Sequence, residues 1–303
     1  MSPRHKAGEE AERPASEDTD HPGESKRPVP TEGETLVPVA LAGEAAGPPI
    51  TSGFPSLDSL LGGGLRRGDL VILAGDAGVG KSALALAMAL RAAGAGQTAA
   101  YLTGEMSTAR VMERALAIEG RVRVDDLRRG LDEVAHSGVA AAAITLRRRT
   151  PLFEDLRDAG IDGVSDFLAH HLGIDLTIVD PVQALTRGIM PVEEEVADIA
   201  RRLKELALRR STVIVATSWL RESAVGRVET RPTLRDLGGV GALRHHADVV
   251  LGLYREELYQ PSPHVEGATE LAVLKNRSGP TGLVDLYFYK QWLRFEDMVE
   301  PRK

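Results

Sequence analysis

Cysteine is missing from all 303 residues. Neither a disulfide framework nor a thiolate metal site is available, so the fold does not depend on an oxidising compartment. Long apolar runs are missing as well: no stretch approaches the roughly 20 residues needed to cross a bilayer, and the N-terminus lacks the basic start and apolar core of a signal peptide. A cytoplasmic protein without membrane contact is the simplest expectation. A surplus of positive charge is absent too, since 37 Lys and Arg face 44 Asp and Glu. The imbalance is unevenly spread, because residues 1–46 carry five basic against ten acidic side chains and leave the remainder close to neutral. Overall acidity therefore neither excludes nor supports a local basic path for phosphates. No internal repeat is present.

What is present divides into two parts. Residues 1–46 are rich in Pro, Glu, Gly and Ser with almost no aromatic or branched apolar side chains, so they cannot bury enough surface to offset chain entropy and read as a disordered acidic tail. Within it, Leu36 to Gly43 ("LVPVALAG") is short and apolar, a linker or a segment that docks on another subunit. Residues 47–303 read as a single α/β domain, because short β-rich runs alternate with helical segments, as in a mainly parallel sheet flanked by helices. Strands are expected at Leu70, Thr98, Asp175, Thr212, Asp248, Glu270 and Leu283. An amphipathic helix is expected around Val196, Ile199, Leu203 and Leu206. Residues 121–172 are the hardest to assign, with helical pieces expected to break at Gly130, Gly138, Gly160 and Gly163.

The most specific chemistry lies in "LVILAGDAGVGKSALALAMAL", a buried strand, a glycine-rich loop and a helix in direct succession. Gly75, Asp76, Ala77, Gly78, Val79, Gly80, Lys81 and Ser82 match GxxxxGK[ST] in the context that makes the pattern a triphosphate site. Backbone N–H groups would face the β-phosphate, aided by the positive end of the helix. Lys81 would span the β- and γ-phosphates of ATP, and Ser82 would offer a hydroxyl to Mg2+. Asp180 closes the apolar run "LTIVD" at the carboxyl end of a strand, the place for a metal-binding carboxylate. Glu105 follows the run "AAYLTG" and precedes a helix that Ser107 can cap, which suits a base for the attacking water. Gln183 either senses the γ-phosphate or is an ordinary loop amide.

With these motifs in place the chain resembles the C-terminal ATPase domain of the DnaB-type replicative helicases, within the RecA-like P-loop group. The resemblance runs from about residue 51 to 296 and rests on an ordered set: "GDAGVGKS", "YLTGEMS", "IVDPVQAL", "VADIARRLKELA", "HHADVVLGLYREELY", "LAVLKNRSGPTG" and "WLRFE". It implies a homo-oligomeric ring, hexameric in expectation, acting on single-stranded DNA. It also implies that Lys275 and Arg277 reach the γ-phosphate held by the adjacent subunit. A cation supplied by a neighbour makes hydrolysis conditional on assembly; the alternative is two solvated cations after a strand.

Three departures accompany the resemblance. Where the family carries an Arg-Glu pair in a DNA-facing loop, this chain has Gly238 and Gly239, whose amides can still bind a DNA phosphate, with Arg235 and Arg244 as substitute DNA contacts or ordinary surface arginines. Trp219 stands where the family commonly has a polar sensor. The helical N-terminal domain of the replicative enzymes has no counterpart, which sets primase binding and the usual collar in doubt; the sequence leaves the loader or other protein partner unidentified. The His170–His171 and His245–His246 pairs are not expected to bind metal, because neighbours on a helix or strand point apart, and Arg147 to Arg149 read as a solvated edge. The leading expectation is an ATP-driven DNA helicase or translocase. The alternative is a RecA-like regulatory or loading switch that does not unwind, and a scaffold with little turnover is disfavoured by Glu105.

Overall fold

The computed structural model describes residues 47–222 and 226–298. The expected acidic tail, with its apolar segment at residues 36–43, lies outside the described residues. Helix α1 (Pro55–Leu60) precedes β1 (Leu70–Gly75), α2 (Lys81–Gly94), β2 (Ala99–Thr103), α3 (Thr108–Gly120), α4 (Val124–Arg129), α5 (Glu133–Arg148) and β3 (Leu152–Asp155). There follow α6 (Gly160–His170), β4 (Leu176–Asp180), α7 (Val192–Arg210), β5 (Val213–Trp219), α8 (Ala242–His246), β6 (Val249–Tyr254), β7 (Ala268–Asn276), β8 (Gly282–Tyr289) and β9 (Arg294–Asp297).

The strands form one nine-stranded sheet in the order β3-β2-β4-β5-β1-β6-β7-β8-β9. Neighbours from β3 to β6 pair in parallel, and β7, β8 and β9 extend the sheet in antiparallel fashion. The expected mainly parallel α/β architecture is found. Its centre is buried on both faces, which is why β1, β4 and β6 read as continuous apolar runs instead of alternating ones. Val71 and Leu73 face a core shared with α2 and α3, while Leu70, Ile72 and Ala74 face one shared with α6 and α7. Helix α7 buries Val196, Ile199, Leu203 and Leu206, the stripe that its periodicity predicts. At about 1.5–3 kcal/mol for each fully buried aliphatic side chain, that stripe pins the helix to the sheet.

Two of the four expected helix breaks do not occur. Gly130 ends α4 and Gly160 opens α6 with positive φ, as expected. Gly138 and Gly163, by contrast, lie inside α5 and α6. The reason is proximity: a Cβ on Gly138 would lie 2.6 Å from the Gly120 carbonyl oxygen where α3 crosses α5, and one on Gly163 would lie 2.4 Å from Ala159 Cβ. These glycines allow close packing, not chain reversal. Strands β3 and β9 were not expected. In β3 the side chains are only half-buried or exposed, so it lacks the apolar run that marked the others.

Candidate functional site

The glycine-rich loop leaves β1 and enters α2 at the carboxyl ends of the parallel strands, where open α/β sheets bind ligands. Gly78 and Gly80 have φ of 74° and 109°, in the left-handed region that favours glycine. Gly80 is also forced by what lies beneath it, since a Cβ there would be 2.9 Å from Phe295 Cζ in β9. Phe295 is fully buried and stacks on Phe288 with ring centroids 4.4 Å apart. The phosphate loop therefore rests on an aromatic floor supplied by the last strands. Val79 is buried and its amide approaches the Asp76 carbonyl at 3.4 Å, and the Asp76 carboxylate accepts from the Ala77 amide at 2.9 Å and from the Tyr259 hydroxyl at 3.3 Å.

Lys81 is 7% exposed and donates from Nζ to the carbonyls of Gly75 and Asp76, both at 2.9 Å. Burial pulls its pKa below the ordinary lysine range, opposed by the charges of Asp180, Asp76 and Glu105. Ser82 Oγ donates to Asp180 Oδ1 at 3.1 Å. Asp180 itself is buried at the end of β4 and also accepts hydrogen bonds from Tyr101 and Thr217. Glu105 stands on the lip of the same cleft, in a turn tightened by the Thr103 hydroxyl, which accepts from the Met106 amide at 3.0 Å, and followed by α3 with Ser107 as its N-cap. Burial, and then the nearby Asp180 carboxylate, raise the Glu105 pKa against the lowering influence of Lys81 and Arg114.

Lys81, Ser82, Glu105, Asp180, Arg114 and Trp219 line one cleft of about 600 Å³. Gln183 does not line it. Its Nε2 donates to Ser218 Oγ at 2.9 Å and its Oε1 accepts from the Trp219 amide at 3.3 Å, tying the turn after β4 to the end of β5. Trp219 pairs in register with Gly75, and its side chain is 48% exposed beside the phosphate loop.

Lys275 and Arg277 lie at the other edge of the sheet. Asn276, between them, pairs with Val249 at the start of β6, whereas Gly75 pairs with Leu253 near its end. At about 3.3 Å per residue, the length of β6 separates the two cations from their own phosphate loop. Lys275 Nζ donates to the carbonyls of Arg244, His245 and Ala247 at 2.7, 3.3 and 2.6 Å, closing the end of α8. Burial, and then the neighbouring Arg277, hold its pKa down. The Arg277 guanidinium is half-exposed and is tethered by Asp248 Oδ1 at 3.0 Å. Asp248 is itself buried and anchored by Lys204 Nζ at 2.6 Å and the Leu70 amide at 2.9 Å.

The same edge carries the four residues read as DNA contacts. Arg235 and Arg244 are exposed. Gly238 and Gly239 are buried against α7: a Cβ on Gly238 would stand 3.0 Å from the Glu193 carboxylate, and one on Gly239 would stand 3.0 Å from Val196 Cγ1. The reading that glycine amides here await a phosphate is corrected in one respect. The Gly239 amide donates to Glu193 Oε2 at 2.6 Å and the Val240 amide donates to it at 3.1 Å, so an internal carboxylate holds them. Gly239, Val240, Arg244, Lys275 and Arg277 share a second cleft of about 880 Å³.

Sequence reasoning missed Arg114, Tyr101 and Thr217. Arg114 lies one helical turn after Arg110 on α3, and no local signal separates the two. Tyr101 and Thr217 sit within strands whose apolar patterning hid their hydroxyls. Among the described residues no group of three or more His, Asp or Glu side chains forms a metal cluster, and no helix is long and apolar enough to cross a membrane.

Comparison with known proteins agrees with this geometry. The sequence profile of the DnaB-like helicase C terminal domain matches residues 49–297. The replicative DNA helicase DnaB of Geobacillus stearothermophilus is 30% identical over 264 residues, spanning 84% of this chain and 58% of that protein. The DnaB of Leifsonia xyli is 31% identical over 257 residues, spanning 82% of this chain and 56% of that protein. The chain thus spans little more than half the length of these curated relatives. A solved ATPase domain superposes with a TM-score of 0.78 at 25% identity, covering 89% of this chain and 99% of its own. A DnaB-like replicative helicase studied with primase superposes at 0.79 with 24% identity, covering 91% of this chain and 69% of its own, and shares the fold.

Proposed function

Because the chain belongs to the DnaB-like helicase C-terminal domain family, we propose that it is an ATP-hydrolysing motor that assembles into a ring, hexameric in form, and moves along single-stranded DNA. Its RecA-like ATPase domain begins near residue 47. One observation carries the reading: the phosphate-facing residues and the exposed Arg277 occupy opposite edges of the same sheet. Two copies placed edge to edge complete the site that one copy cannot.

In this reading the loop amides from Gly75 to Ser82 and Nζ of Lys81 hold the β- and γ-phosphates. Ser82 and Asp180, two hard oxygen donors 3.1 Å apart, suit Mg2+, which keeps most of its shell as water and phosphate. When bound, Mg2+ offsets charge on the phosphate oxygens. Glu105, on the lip of the cleft, takes the proton of the attacking water. Arg277 of the adjacent subunit stabilises the charge that spreads over the transferring phosphoryl group. Lys275, expected at that phosphate beside Arg277, has its Nζ engaged by three carbonyls at the end of α8, so in this reading it holds the DNA-facing loop to the strand that carries Arg277. Arg235 and Arg244 supply backbone contacts to the strand.

The deciding measurement is the ATPase rate with and without single-stranded DNA at low ionic strength. Stimulation together with salt-dependent binding is expected. Turnover that ignores DNA, with no binding at low salt, rejects the motor and leaves the regulatory switch.

A further inference from the structure

Tyr101 is fully buried in β2 and packs edge-on against Phe153, with ring centroids 6.4 Å apart. A phenylalanine would fill that volume equally well. The hydroxyl is therefore superfluous to packing, and an unpaired one would cost about 1–3 kcal/mol. It is not unpaired: it donates to Oδ2 of Asp180. The opposite oxygen, Oδ1, accepts from Ser82 at 3.1 Å and from Thr217. All of these partners come from separate elements, β2, α2 and β5, so the carboxylate is held from three directions at the floor of the cleft. With Oδ2 consumed by the phenol, Oδ1 is the oxygen turned toward Ser82 and the cleft.

Resting on the ATPase reading above, we propose that Tyr101 is a positioning residue for ATP hydrolysis: its hydroxyl fixes the Asp180 carboxylate with Oδ1 directed at Ser82 and so sets how strongly the protein holds nucleotide in its Mg2+ form. Tyr101 is fully buried and does not line the cleft. Its effect is exerted through the orientation of Asp180, in the way that outer partners of metal ligands tune affinity.

The test is Tyr101→Phe in the full chain, with nucleotide binding measured by calorimetry using ADP in EDTA and ADP with excess Mg2+. The expected result is an about 10-fold loss of the advantage that Mg2+ confers on ADP binding, with affinity for ADP in EDTA unchanged. The Mg2+ concentration for half-maximal turnover should rise in parallel. If the Mg2+ advantage is unchanged, or if all affinities and the thermal midpoint fall together, the hydroxyl is only structural and the inference is overturned. Should Tyr101→Phe fail to fold, Tyr101→Met, which also lacks the hydroxyl, is read by the same two titrations. A wild-type protein whose nucleotide binding ignores Mg2+ would overturn the ATPase reading itself, a result distinct from failure of Tyr101 alone.

Discussion

The two edges of the parallel sheet are built on different principles. At the carboxyl edge, Lys81 and Asp180 are buried and bonded: Lys81 is held by two carbonyls and Asp180 by three hydroxyls, above an aromatic floor. At the amino edge, only the roots are buried. Asp248 is locked by Lys204 and a strand amide, and it presents to solvent the half-exposed guanidinium of Arg277. The first edge holds its groups by bonds within the chain, whereas the second leaves Arg277 projecting, as the proposed shared site requires. Preorganisation favours the part that must exclude water, while a cation that works on a neighbour has to project.

The largest effect expected from breaking this contrast is at the projecting end. Arg277→Ala should lower turnover by about 10³-fold or more, the usual value of such an arginine, while nucleotide affinity in filter binding stays intact. Rings mixed from Arg277→Ala and Glu105→Gln chains should recover part of the rate, because some interfaces then pair two intact halves. No recovery at any mixing ratio would count against a shared site. At the preorganised edge, Phe295→Ala removes the floor under Gly80 and should cost about 3–5 kcal/mol in urea unfolding, with nucleotide affinity reduced as well. A loss of stability without loss of affinity would mean that the loop holds its shape unaided. The smallest effect concerns protons. Glu105 acts as a base only when ionised, and its pKa is raised, so the rate should fall as pH drops through a value above the roughly 4.3 of a free glutamate. Glu105→Gln should remove that acid limb from the residual rate, and a limb that persists would assign it to another group.

The carboxyl edge was largely legible from sequence because its residues are local. A strand, a glycine loop and a helix in succession place Lys81 and Ser82, and a strand end places Asp180, with no knowledge of the rest of the chain. What escaped depends on contacts between distant segments. Tyr101 and Asp180 are 79 residues apart along the chain, and nothing in either strand announces the bond. Gly138 and Gly163 read as breaks because a single sequence shows that a glycine is present, not that a neighbouring backbone or side chain needs the space. Strand β3 offers too little apolar surface to stand out, and β9 is four residues long. The exchange of an Arg-Glu pair for Gly238 and Gly239 was visible, yet its reason lies 46 residues away from Gly239 in Glu193, which takes the space and the amide.

The aromatic floor has a bearing on the order of synthesis. Residues 75–82 leave the ribosome long before Phe288 and Phe295, so a nascent chain that has already extruded its whole triphosphate motif still lacks the platform on which that motif sits. If the loop needs that platform to bind nucleotide, as Phe295→Ala tests, capture waits until translation is nearly over.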